Sequence, residues 1–470
     1  MNQDTTDKNR NPIFALVAVG IFMSTLDGSI VNIALPVIMN DLNTSLSHIE
    51  WVVLIYLFTV SSLLLSFGRL SDIKGRRWVH TRGLFLFTAG SFLCAMSANV
   101  LSLILSRFLQ GIGASMIMAC SPAIIMDIFH KNERGRALGM IGSIVALGLS
   151  VGPALGGFIL NWFSWRIIFY INIPIGLAAF FAAAKLLKGG KTDISRKEAF
   201  DWAGGAMLAL CLGSLLFALT HGYDWGYDSI KFILMLLFTT VTLILVVIIE
   251  TRVKFPVIEP SLLKIRLFTL PVIAAVIIFA SLFIIVFLMP FYLMYPGGYS
   301  VKQAGYILVT LFISLLFVSP IAGSISDKIG SRLLCTLGMT VLCVSFLCMA
   351  GLPPAAPPLS IAWRLALAGI GTAVFLSPNS AVTMNSAPGN YRGIAAAMVA
   401  MARNSGMVFG VAIAGTIFNN VFFTLSGGLT LKVYTPELQE VFMAGFHLAM
   451  TAGAVLSGIG IFVAFVRGPG

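Results

Sequence analysis

The sequence predicts an all-α polytopic membrane protein with fourteen transmembrane helices, and three observations predict it. The 470-residue chain is 58% hydrophobic and only 10% charged, whereas soluble domains carry about 25% charged residues. Its apolar runs are long enough for helices, which need about 20 residues to cross the hydrocarbon, and they lack the strict alternation of barrel strands. Lys and Arg concentrate in alternate short loops, as the positive-inside rule requires. The formal charge of +12 would suggest nucleic acid in a soluble domain. Here it is a topology signal, and no nucleic-acid partner is expected.

The segment Met1–Arg10 is polar, and no small-residue cleavage pattern follows a short apolar core, so the first apolar run reads as a span and not a signal peptide. Fourteen spans begin near residues 12, 48, 79, 100, 134, 166, 202, 229, 268, 303, 333, 359, 392 and 440. Basic residues cluster after the second span (Arg69 to Arg82), the fourth (Lys131 to Arg136), the sixth (Lys185 to Lys197), the eighth (Arg252 to Arg266) and the tenth (Lys328, Arg332). Those loops are predicted to be cytoplasmic, and an even span count places both termini there too, in a protein of the cytoplasmic membrane. The six cysteines lie in apolar runs without paired spacing, so neither a disulfide nor a metal site is indicated.

An internal repeat divides the chain. Gly68-Arg-Leu-Ser-Asp-Ile-Lys-Gly-Arg-Arg77 returns as Gly323-Ser-Ile-Ser-Asp-Lys-Ile-Gly-Ser-Arg332, keeping Gly, Ser, Asp, Gly and Arg at an offset of 255. Arg107 and Arg364, and Ser121-Pro122 and Ser377-Pro378, keep nearly the same offset. Two similar six-helix halves, 1–190 and 261–470, therefore flank an inserted helix pair at 191–260. Parallel repeats of this kind build secondary transporters whose substrate site lies between the halves.

Asp27 is the residue around which the first span is read. At 1.5 Å per residue it lies roughly 21 Å along the helix from Ile13. A charge at such depth costs about 2.5–3.5 kcal/mol even on the mildest insertion scale. It either pairs with a buried arginine to hold helices together or carries a proton. Asp27 is the only carboxylate placed well inside a span, since Glu50 and Asp224 fall at outer ends and Asp72, Asp127, Glu250 and Asp327 at cytoplasmic ends. Arg107 in the fourth span lies roughly 30 Å from the cytoplasmic end counted from Asp127, and its long side chain bridges much of the difference.

In the loop after the second span, Gly75 permits a tight turn, while Asp72 can cap a helix or accept from Arg76 and Arg77, with Asp127 placed to join them. In the fifth span Gly148, Gly152 and Gly156 recur at four-residue spacing, which admits a close neighbour, and Pro153 bends the helix. For an adaptable apolar cavity the ninth span offers Phe283 and Phe287 and the fourth Met116 and Met118. Asn404, beside Arg403, lies near the midplane of the thirteenth span. Gly189-Gly-Lys-Thr192 resembles the end of a phosphate-binding loop, but Lys185 stands where its first glycine should be, and no ATPase is predicted.

Taken in order, these segments resemble the major facilitator superfamily, and specifically its fourteen-helix drug:proton antiporter branch, over essentially the whole chain. Gly68 to Arg77 is similar to the superfamily's loop signature, Arg107-Phe-Leu-Gln-Gly-Ile-Gly113 to its fourth-helix arginine motif, and Gly148-Leu-Ser-Val-Gly-Pro-Ala-Leu-Gly-Gly157 to its antiporter motif. Trp165-Arg-Ile-Ile-Phe-Tyr-Ile-Asn-Ile-Pro174 is similar to a feature of the fourteen-helix branch.

The resemblance implies a non-enzymatic exporter of amphipathic small molecules, driven by protons and acting as a monomer in the bilayer without cofactor or metal. Asp27 and Arg107 would serve proton coupling, and Asp27, Met116, Phe283, Phe287 and Asn404 substrate binding. The cluster of Gly68, Asp72, Gly75, Arg76, Arg77 and Asp127 would lock the cytoplasmic side. The face built from Gly148, Gly152, Pro153, Gly156 and Gly157 would line the contact between halves. A lipid or glycolipid flippase and an organic-anion exporter are the alternatives on the same fold.

Overall fold

The computed structural model describes residues 3–129, 133–187, 202–226, 228–252, 260–388 and 392–468. Its helices are α1 (Gln3–Asp41), α2 (Leu46–Lys74), α3 (Arg76–Ala95), α4 (Val100–Ile128), α5 (Arg134–Trp162), the short α6 (Ile167–Tyr170), α7 (Asn172–Leu186), α8 (Trp202–Trp225), α9 (Ile230–Arg252), the short α10 (Pro260–Leu263), α11 (Arg266–Met294), α12 (Val301–Ile329), α13 (Ser331–Ala350), α14 (Pro358–Ser386), α15 (Arg392–Leu425) and α16 (Gln439–Val466). Among the described residues thirteen segments are long and apolar enough to cross a membrane, α6 and α7 together forming one of them. The fourteenth long helix is α3, whose Arg76, Arg77, His80 and Arg82 dilute its apolar character while it packs between α4 and α7. The loops flanking the inserted pair at 188–201 and 253–259, and Lys131, lie outside the described residues. The face that carries residues 3 and 468 is the terminal face below, and the opposite one the distal face.

Local chemistry sets the helix ends. Asn99 Oδ1 accepts from the Ser102 amide at 2.8 Å and starts α4, and Ser300 with Gln303 starts α12 in the same reciprocal way. Between α2 and α3 the chain reverses at Gly75 with φ +96°, and between α12 and α13 at Gly330 with φ +85°, conformations that an L side chain rarely adopts. Each glycine amide donates to the carbonyl four residues back, Ser71 and Ser326, at 3.0 Å. The repeated sequence thus folds into one repeated corner.

The halves repeat in packing too: α1 on α5 and α11 on α15, α3 on α4 and α13 on α14, α2 on α4 and α12 on α14. They join chiefly through α5 with α12 and α2 with α15. Toward the distal face, a Cβ built on Gly157 would stand 2.9 Å from the Gly305 Cα, and Tyr295 Oη lies 3.1 Å from Asn40 Oδ1. Toward the terminal face, the same construction at Gly68 on α2 and Gly142 on α5 meets nothing within 4 Å. The recorded contacts between the halves therefore hold them together in their distal portions. Helix α8 lies against both α2 and α15, with the Thr416 hydroxyl of α15 donating to the Leu219 carbonyl of α8 at 2.9 Å, and α9 packs on α8.

Candidate transport site

Asp27 and Arg107 form a wholly buried ion pair. The depths of about 21 and 30 Å counted along their own helices do not keep them apart, because the long arginine side chain reaches to the level of Asp27. The guanidinium is held from three more sides. Its Nε donates to the Val52 carbonyl at 3.0 Å, its Nη1 to Gln110 Oε1 at 2.6 Å, and the Tyr56 ring lies 4.0 Å from its carbon. Two amides complete the carboxylate: Gln110 Nε2 donates to Asp27 Oδ1 at 2.8 Å and Asn172 Nδ2 at 3.1 Å. Gln110 Nε2 also lies 2.8 Å from Ser91 Oγ. Helices α1, α2, α3, α4 and α7 thus converge on one buried polar network, in which α4 and α7 hold the carboxylate itself. Gln110 and Asn172 lie inside the motifs quoted above, but as uncharged amides they gave no reason to be singled out.

A narrow cavity lies beside this network, between the halves, lined by Ser24, Gly28 and Tyr56 on one side and Phe283, Arg403 and Asn404 on the other. Asp27 does not line it. Its neighbour Gly28 does, and one residue turns the direction by about 100°, which aims the carboxylate into the first half. Tyr56 is the wall between the two, donating its hydroxyl to the Ser24 carbonyl at 2.7 Å.

Of the expected substrate residues, the structure brings Phe283 and Asn404 to the cavity. Met116 instead packs against Gly83 of α3, while Met118, two residues and about 200° further round the helix, lines the cavity. Phe287 sits a turn beyond Phe283 and is buried against Phe291, with ring centres 5.7 Å apart. A second, smaller cavity lies further toward the distal face, lined by Asn32, Ile33, Pro153, Val286 and Phe312. The two follow one another along the seam between halves.

The fifth-helix motif splits between two faces. Cβ atoms at Gly148, Gly152 and Gly156 would collide with Thr25, Ser29 and Ile33 of α1, so this face packs within the first half and does not line the contact between halves. The glycines bracket the turn that carries Asp27, and Ser29 Oγ donates to the Gly148 carbonyl at 3.1 Å. The contact between halves falls about 100° round the helix, where the Pro153 carbonyl and Gly157 meet Gly305 of α12.

In the loop cluster Arg76 pairs with Asp127 and, at 3.6 Å, with Asp72, and donates to the Ala123 carbonyl at 2.9 Å. Arg77 does not join Asp72 in the way expected. It donates to the Ala184 carbonyl at 2.7 Å, near the end of α7, where a cation meets the negative end of the helix. These contacts tie α2, α3, α4 and α7 of one half to each other.

Two further placements add to the sequence reading. Glu50 lies at the distal end of α2, as an end-of-span residue should, yet it is only 1% exposed and packs on Gly415 of α15, at the seam between the halves. Arg364, the repeat mate of Arg107, donates to the carbonyls of Cys348 and Ser360 and holds a corner of α13 and α14.

The model of the Major Facilitator Superfamily matches residues 17–411. The chain is 36% identical to the riboflavin transporter RibZ of Clostridioides difficile (strain 630) over 97% of both chains. It is 31% identical to multidrug resistance protein 3 of Bacillus subtilis (strain 168), covering 94% of this chain and 88% of that one. With the multidrug transporter protein MdtP of the same organism it shares 29% identity over 94% of this chain and 80% of the relative. Among solved structures, a bacterial homologue of the human lysosomal transporter Spinster, inward-facing and unoccupied, superposes with a TM-score of 0.66 at 14% identity, covering 98% of this chain and 97% of that one. By its sequence, its paired six-helix halves and its central cavity, the chain belongs to the Major Facilitator Superfamily of membrane transporters.

Proposed function

We propose that the protein is a proton-coupled antiporter that exports small organic molecules across the cytoplasmic membrane by alternating access, acting as a monomer. Its terminal face lies in the cytoplasm, in keeping with the basic loops there. The observation that carries the reading is the buried Asp27–Arg107 pair, set one aromatic layer behind the wall of a cavity shared by both halves. Relatives named as multidrug transporters support the substrate class.

Protonation of Asp27 removes the charge on which Arg107, Gln110 and Asn172 converge, so the ties from α1 to α4 and α7 weaken together. Helix α1 is keyed to α5 through the glycine face, and α5 meets α12 of the other half, so a shift of α1 reaches the seam. A proton can move this equilibrium because it interacts differently with the two arrangements. The Asp72–Arg76–Asp127 cluster binds the helix ends of the first half into one body that rocks as a unit, closing on the second half at Gly68 when the distal side opens.

A second reading is riboflavin transport, favoured by the relative at 36% identity over nearly the full length of both chains. Everted membrane vesicles test both. A pH gradient, acid inside, should drive accumulation of a fluorescent substrate, and Asp27→Asn should abolish the gradient-dependent part. Undiminished gradient-driven accumulation by Asp27→Asn would reject the proton role. Saturable transport of riboflavin, to the exclusion of structurally unrelated dyes, would select the second reading.

A further inference from the structure

The charges around the central cavity are unevenly placed. Of the residues that line it, Arg403 is the one that carries charge, and no carboxylate accompanies it. Asp27 is turned away and already occupied by Arg107, Gln110 and Asn172. Arg403 Nε is buried without a hydrogen-bond partner, and among the described residues the whole side chain makes no hydrogen bond and no ion pair. The two wholly buried arginines, by contrast, each have a partner: Arg107 a carboxylate, and Arg467 the Asn379 Oδ1 at 3.2 Å. A guanidinium cannot shed its proton, so burying one without an acceptor is a standing cost that a bound acceptor would relieve.

We propose that Arg403 is the anchor for an organic anion, and that the cavity takes amphipathic aromatic molecules bearing a carboxylate or a comparable oxyanion. The fork of the guanidinium fits two oxygens of one such group. Asn404 stands beside it with its Nδ2 committed to the Ala400 carbonyl at 2.9 Å, which fixes the amide. Phe283, Met118 and Leu149 provide the apolar surface for the body of the molecule. No lining residue offers a lipophilic cation a counter-charge, and Arg403 repels it. This deepens the export reading and rests on it for the cavity's being the substrate site.

The test is equilibrium binding to the purified full-length protein in detergent, without any gradient, using naphthoate, naphthamide and naphthylmethylammonium. These probes share one aromatic body and differ in charge. Wild type should bind naphthoate about tenfold or more tighter than either of the others, the discrimination expected of a charge-assisted hydrogen bond. Arg403→Gln should erase that margin while naphthamide binding stays, which also reports an intact cavity. Arg403→Lys should retain most of the margin. Equal or tighter binding of the ammonium by wild type, or an unchanged naphthoate margin in Arg403→Gln, overturns the proposal. Should Arg403→Gln not fold, the wild-type ranking and Arg403→Lys still decide. Asp27→Asn separates the two readings: a naphthoate margin that persists there with proton-driven transport lost leaves the anchor standing. Gradient-driven transport without any margin in wild type leaves the export reading standing alone.

Discussion

Replacing Arg107 by Gln leaves Asp27 as a carboxylate with no exposed surface and no guanidinium beside it. Removing one partner of a buried pair costs about 3–5 kcal/mol, because the remaining charge keeps its desolvation penalty without its counter-charge. Gln110 and Asn172 still donate to Asp27, at 2.8 and 3.1 Å, but they do so before the substitution too and offset nothing new. Asp27→Asn should fall at the lower end of the same range, since Arg107 keeps the Val52 carbonyl, Gln110 Oε1 and the Tyr56 face. The double variant Asp27→Asn/Arg107→Gln carries neither buried charge, so it should cost less than the sum of the singles by about 3 kcal/mol or more, far above the roughly 0.5 kcal/mol scatter of independent sites. Reversible unfolding in mixed detergent micelles, followed by tryptophan fluorescence, measures all four corners of the cycle. If the two single costs add to the double within that scatter, the pair is not the electrostatic unit described here, and the mechanism built on its rupture falls with it.

Two further outcomes follow from the fifth-helix motif. Gly157→Val places a side chain where even a Cβ stands 2.9 Å from Gly305, so the distal contact between halves should part; cysteines placed at Asn40 and Tyr295 should then label faster from the distal side, and unchanged labelling would remove Gly157 from the seam. Gly152→Ala drives a methyl into the Ser29 side chain and should cost about 1–3 kcal/mol by overpacking. Adding Ser29→Ala should recover much of that loss in the same unfolding assay, and no recovery would mean that the glycine face is not keyed to α1 there.

The helix pattern was legible because each apolar run is bounded by basic loops, Gly75 or capping residues, and the predicted starts fall within three residues of the observed ones except for the first, where α1 begins at Gln3 instead of residue 12. The corner at Gly75 and its mate at Gly330 could be read because both need glycine and both sit in a repeat. The association of Asp27 with Arg107 could only be suspected, since depth along a helix says nothing about which way a side chain faces. That same ignorance exchanged Met116 for Met118 and assigned Gly148, Gly152 and Gly156 to the wrong neighbour, for in a helix apolar on nearly every side no polar face marks the inside. The place of Glu50 near the start of α2 was legible but its burial was not, since that depends on Gly415, more than three hundred residues away, leaving room for it.

Helix α8 touches one helix from each half, and its consequence is an asymmetry between the two sides of the molecule. The α2–α15 seam is roofed by α8, with α9 as an outer layer, whereas the α5–α12 seam has no such cover among the described residues. Helix α8 is tied to the second half by the Thr416–Leu219 bond. The seam between the halves is therefore covered on one flank and bare on the other, where Gly157 and Gly305 bring the backbones of α5 and α12 into contact.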